Sequence, residues 1–145
     1  MRYYLDCEFN GYRGALMSMA LVREDGPELY LAWPRNDCIP WVAENVAPII
    51  ECAGASPHIH RIGGWGGLIE TFLIDDRSPV IVADWPDDIR YFCETIITGP
   101  GEMIAISGLT FEVVRVDAYP TDLPGAVQHN ALWDARALRH KLNSR

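Results

Sequence analysis

Hydrophobic and polar positions alternate along the first segment of the chain. From Arg2 to Phe9, Tyr3, Leu5, Cys7 and Phe9 point one way and Tyr4, Asp6 and Glu8 the other, which predicts a strand. After the loop Asn10–Gly14, Ala15 to Val22 reads as a second strand. Asp25-Gly26-Pro27 is turn chemistry, and Glu28 to Trp33 reads as a third strand, completing an antiparallel meander. Pro40 suits the first position of a helix running to about Cys52, with Pro48 kinking or ending it early. The glycine group Gly63–Gly67 is a loop leading into a short helix, in which Leu68/Ile69 and Phe72/Leu73 recur four apart. Pro79 to Asp84 is a continuous apolar run closed by an acid, as expected for a strand covered on both faces. Pro86 opens a helix with Asp87 and Asp88 in its first turn and Ile89, Phe92, Cys93, Ile96 and Ile97 on one side. Gly99-Pro100-Gly101 ends it. Met103–Ile106 and Thr110–Val116 suggest a hairpin, and Ala131 to Leu142 a final helix. Together these elements predict a single α/β domain over residues 1–145, with a mixed sheet of about five strands flanked by helices.

Composition narrows the function classes. The chain has 145 residues, 49% of them hydrophobic, and no apolar run approaching the ~20 residues needed to span a bilayer. An acid at position six argues against an export signal, so the expectation is a cytoplasmic protein with no membrane partner. Cys7, Cys38, Cys52 and Cys93 form no CxxC and sit among apolar neighbours, which suggests reduced, buried thiols. Twelve bases, eleven of them Arg, stand against twenty acids, for a net charge of -8. Binding nucleic acid through a general basic coat is therefore excluded. Action on phosphates is not, because clustered carboxylates attract divalent metals that supply positive charge locally.

Three places carry candidate chemistry. Asp6 and Glu8, two apart on a strand, project from one face side by side, where they repel unless a cation lies between them. Composition alone gives ~0.7 Asp-x-Glu pairs, so the pair draws its weight from a strand whose other face is apolar. Asp84 closes the most apolar strand, where open α/β sheets gather ligands, although it also suits a helix cap. Asp87 and Asp88 read as helix-start acids, although both stand close enough to Asp84 along the chain to rival it as a ligand. On the last helix, Ala131, Ala135, Leu138 and Leu142 define an apolar stripe, and Asp134 lies inside it. An unpaired carboxylate there would cost several kcal/mol, so it needs a metal or an Arg, and Arg136 and Arg139 fall elsewhere on the helix. His129 fits the loop entering that helix, near a site that Asp134 lines.

In order, Asp6-x-Glu8, Asp84 and His129-x4-Asp134 resemble the DEDDh group of 3′–5′ exonucleases in the ribonuclease H-like superfamily, most of all its small stand-alone bacterial exoribonuclease-like members. The resemblance spans nearly the whole chain through motif order. It implies two divalent ions, Mg²⁺ or Mn²⁺, held by the four acids: Asp6 shared, Glu8 and Asp134 on one ion, Asp84 on the other. His129 is then the general base for the attacking water. The implied substrate is a nucleic acid with a free 3′ end, RNA favoured and single-stranded DNA next, and similar small nucleases often pair as homodimers. With one Lys in the chain, long-strand tracking should be weak, which favours short strands. Phe9, Asn10, Tyr12 and Arg13, just after the first motif, are candidates for holding the terminal nucleotide. Two other readings stay open. One is a non-catalytic ribonuclease H-like binding module, with Trp33, Trp41, Trp65, Trp85 and Trp133 as anchors. The other is a metal hydrolase built on His58 and His60.

Overall fold

Period-two alternation builds the middle of the sheet. In the computed structural model, which describes residues 1–118 and 120–144, strand β1 spans Arg2–Phe9 and β2 spans Leu16–Arg23. They pair antiparallel, with Leu5 opposite Leu21 and Glu8 opposite Ser18. β3 (Glu28–Ala32) continues the meander, and the short β4 (His58–Ile59) adds a parallel edge to it. On the other side of β1 the apolar run forms β5 (Val80–Ala83), parallel to β1 from Arg2–Val80 to Tyr4–Val82. β8 (Thr110–Val113) lies parallel beyond it, so the sheet order is β4-β3-β2-β1-β5-β8.

Among the described residues, then, a mixed six-stranded sheet stands where about five strands were expected. The helices are α1 (Pro40–Asn45), α2 (Trp65–Leu73), α3 (Pro86–Ile96) and α4 (Ala131–Asn143). α2 and α3 cover the face bearing Tyr3, Leu5, Cys7, Leu21 and Ile81, with Trp65, Ile69 and Phe92 fully buried against it. Each such large side chain contributes roughly 1.5–3 kcal/mol. α4 covers the opposite face, and the packing partners there are small: Ala131 and Ala135 lie on Ala20 and Val22. Small residues let the helix axis come close to the strands, which brings α4's first turn down to the level of Asp6 and Glu8. α1 flanks α4 on the same side, where Val42 and Val46 pack on Met17 and Ala32.

The structure corrects several local expectations. The helix from Pro40 stops at Asn45, and Pro48 sits in a separate 3₁₀ turn, Ala47–Ile49. Residues 103–106 and 110–116 do not pair as a hairpin. Gly101, at φ +70, instead closes a tight ribbon of β6 (Ile97–Gly99) against β7 (Glu102–Met103), while β8 extends the main sheet. An open edge on the apolar β5 is a stronger demand for a partner than the local turn was. Ile97 accordingly leaves the buried stripe and is exposed. All four cysteines are free, but only Cys7 is fully buried. Trp65 is core and cannot serve as an interface anchor. No helix among the described residues is long and apolar enough to cross a membrane.

Candidate functional site

β5 ends at Ala83, whereas β1 runs on to Phe9, so the distal half of β1 has no strand beside it on that edge. The opening lies outside the carboxyl ends of two parallel strands, where α/β sheets form their crevices. The main chain exposed there needs partners, and α3 supplies one. The Cys7 N–H donates to the Asp88 carboxylate Oδ1 at 3.2 Å. Asp84, one residue past β5, comes to the same place.

Five carboxyl groups meet in this opening. One ligand atom from each of Asp6, Asp84 and Asp88 lies within 4.8 Å of the others, and the same holds for Asp6, Glu8 and Asp134. Asp6 belongs to both groups. Among the described residues none of the five forms a salt bridge with an Arg or Lys, and the buried Asp6 Oδ2 and Asp88 Oδ2 have no hydrogen-bond partner. Arg136 is held by Glu28 and the Gly54 carbonyl, and Arg139 donates to the Glu24 carbonyl. Among the described residues, the partner that Asp134 requires is thus no arginine.

Electrostatics follow from this crowding. Burial, then the charges of Asp88, Asp134, Glu8 and Asp84, push the Asp6 carboxyl well above the usual carboxylate range. Glu8 is raised by burial and by facing Asp134. Asp88 is raised by burial and Asp84, against the pull of the Cys7 N–H. Asp134 is raised to about 7, chiefly by burial, although Glu8 and the backbone of Asn130 and His129 pull it down. Asp84 is raised by burial and moderated by Arg115. Five acids so placed cannot all ionise alone. Orphaned carboxylate oxygens in two overlapping all-oxygen groups fit divalent cations of the Mg²⁺ or Mn²⁺ type.

Asp87 is not part of the cluster: it accepts from Arg90 Nε and Trp85 Nε1, whereas Asp88, read from the sequence as a rival to Asp84, joins Asp84 there. A signal for it was available. Asp88 precedes Phe92 by four, on the buried side of α3, just as Asp134 lies in the stripe of α4. His129 stands before the helix cap in a left-handed conformation, φ 60, a geometry in which His is enriched among non-glycine residues. Asn130 holds that entry: its Oδ1 accepts the Trp133 N–H and its Nδ2 donates to the Ile49 carbonyl at 2.7 Å. The exposed His129 ring meets Trp41 edge-on at 5.1 Å.

Trp41 lines a cleft of about 460 Å³ that Asp6, Glu8 and Asp88 also line, together with Phe9, Tyr12, Ile39 and Trp85. Tyr12 is 84% exposed, Trp41 52% and Trp85 49%. Of the four residues proposed after the first motif, Phe9 and Tyr12 therefore reach the cleft. Asn10 is committed elsewhere, accepting the Ile39 N–H at 2.8 Å and donating to the Asp37 carbonyl, so it fixes the Ile39–Trp41 wall. Arg13 borders a neighbouring hollow with Arg90 and Tyr91. The loop between them depends on Gly14, where a Cβ would fall 1.8 Å from the Asn10 carbonyl oxygen. His58 and His60 lie exposed on and beside the edge strand β4 and join no metal-holding group among the described residues. No protein-family model matches the chain, and a search of curated proteins returns no match.

Proposed function

We propose that this chain is a metal-dependent 3′–5′ exonuclease with a ribonuclease H-like fold, acting on short single strands, RNA before DNA, and releasing nucleoside 5′-monophosphates. The observation that carries the reading is the pair of three-acid groups sharing Asp6 at the floor of an aromatic cleft. In this reading Asp6, Glu8 and Asp134 would hold one divalent cation, and Asp6, Asp84 and Asp88 would hold a second. Bound there, Mg²⁺ or Mn²⁺ supplies Lewis acidity and neutralises the charge that develops on a phosphodiester under attack.

The remaining work falls to the chain's own side chains. His129 takes one proton of the attacking water as the water oxygen bonds to phosphorus, the P–O3′ bond breaks, and the departing 3′ oxygen takes a proton from bulk water. The His129 ring is exposed and meets edge-on the ring of Trp41, which lines the cleft. Asp88 ties the cluster to the main chain through Cys7 N–H, so that the second group does not drift from β1. Exposed aromatic faces beside an acid floor distinguish a nucleotide substrate from a simple phosphate ester, because stacking on a ring is worth ~1–3 kcal/mol per base and tolerates any base.

The test is a 3′-labelled oligoribonucleotide with purified protein and Mg²⁺ or Mn²⁺. The wild type should release labelled mononucleotide from a free 3′ end and none from a blocked one. Asp6→Asn and Asp134→Asn should abolish release while circular dichroism stays native, and full activity in both variants would overturn the assignment.

A further inference from the structure

Most arginines with a partner in this structure are neutralised by a carboxylate. Arg2 pairs with Glu112, Arg23 with Asp25, Arg35 with Asp37, Arg90 with Asp87 and Glu94, and Arg136 with Glu28. Arg115 is held differently. Its guanidinium lies over the Trp85 ring, 4.7 Å from the centroid, and its Nη1 donates to the main-chain carbonyl of Asp84. Among the described residues no carboxylate forms a salt bridge with it, and Nε and Nη2 have no partner. Asp84 belongs to the acid cluster and Trp85 lines its cleft. An exposed side chain on the segment after β8 is thereby folded back to the rim of the site and pinned at two points, with donors left over.

Such a group suits an anion. Stacking on an indole presents the guanidinium edge to solvent, and the fork of N–H donors matches phosphate oxygens. Which phosphate follows from the chemistry of a 3′ end. The terminal nucleotide carries one phosphodiester, the scissile one, and that group belongs over the acids at the floor. A second phosphate at the rim can only come from the strand that is retained.

Building on the nuclease reading, we infer that Arg115, positioned by Trp85, binds the phosphate of the linkage next to the scissile one and so sets a preference for chains over dinucleotides. It is a positioning residue for the retained strand. In a protein of net charge -8 it supplies positive charge at this rim.

The test is a substrate cycle with Mn²⁺ and a short RNA, carrying either natural linkages or one uncharged methylphosphonate at the second linkage from the 3′ end. Arg115→Ala should raise KM on the natural strand by about tenfold with kcat nearly unchanged, as expected for losing one charge-assisted hydrogen-bonded contact. The methylphosphonate should raise KM by a similar factor in the wild type and add little in Arg115→Ala, because both changes remove the same contact. The salt dependence of KM should also flatten by roughly 0.7 in log–log slope in Arg115→Ala, and Arg115→Lys should restore it. Independent, multiplying losses from protein and substrate changes would overturn the inference while leaving the nuclease reading intact. An active wild type matched by Arg115→Ala on the natural strand would do the same. A wild type that cleaves no strand under either metal would remove the nuclease reading, and this one with it.

Discussion

The two acid groups that share Asp6 are built in different ways. One takes Glu8 from the same strand and Asp134 from α4, which meets the sheet through alanines and whose entry carries His129. The other takes Asp84 from the end of β5 and Asp88 from α3, and Asp88 is only 2% exposed and fastened to β1 by a main-chain N–H. Glu8 and Asp134 keep some solvent access and hold each other's charge; Asp88 has a second occupation as an acceptor. The lesson is that one acid group carries a structural tie that the other lacks, so their members should fail differently.

The largest expected difference concerns turnover. His129→Ala touches only the first group's surroundings and should lower kcat by about 10²–10⁴-fold, while Mn²⁺ affinity measured by calorimetry stays nearly the same. Unchanged turnover would remove His129 as the base.

A smaller effect is a change of stability with pH. Asp134 has its folded pKa raised to about 7 from an ordinary value near 3.8, so the folded chain binds the proton more tightly than the unfolded one. Its contribution to stability is full below about pH 4 and is lost as pH rises through 7. In chelator the melting temperature should fall over that window. Mn²⁺ at a hundred times its Kd at pH 8 should raise it by ~5–10 °C at that pH, and the same concentration should raise it much less at pH 5.5, where protons compete for the same oxygens. A metal effect independent of pH would show that the acids do not hold the ion.

The smallest effect separates the two roles of Asp88. Asp88→Ala leaves the Cys7 N–H without its acceptor and should destabilise the metal-free protein by about 1–3 kcal/mol. Asp88→Asn keeps an acceptor and loses a charge, so it should match or exceed the wild type in denaturant titration with chelator present. Equal destabilisation by both variants would mean that the contact to Cys7 contributes nothing.

The same contrast explains what could be read from the chain. Asp6, Glu8 and Asp134 are visible because a period, two or near 3.6, places them on a defined face, and an acid in an apolar stripe is conspicuous. β1 is legible to its ends and α4 to within a residue. Asp88 is not conspicuous, because carboxylates in a helix's first turn are commonplace and only the unpaired edge of β1 gives this one a task. The pairing of β8 is hidden for a related reason: its partner lies across the sheet, and parallel pairing leaves no local turn to announce it. The Arg115–Trp85 stack has no sequence pattern at all, since it joins segments that meet only once β5 and β8 lie side by side.

The route by which α4 reaches the strands bears on how the molecule comes into being. During synthesis Asp6 and Glu8 emerge early, and Asp134 follows only after every strand has been made. A growing chain can therefore assemble the sheet while its anionic pocket is still missing a wall. Such late closure of long-range contacts is slow compared with helix formation. It also means that the group formed by Asp6, Glu8 and Asp134 is complete only once α4 has docked on the sheet.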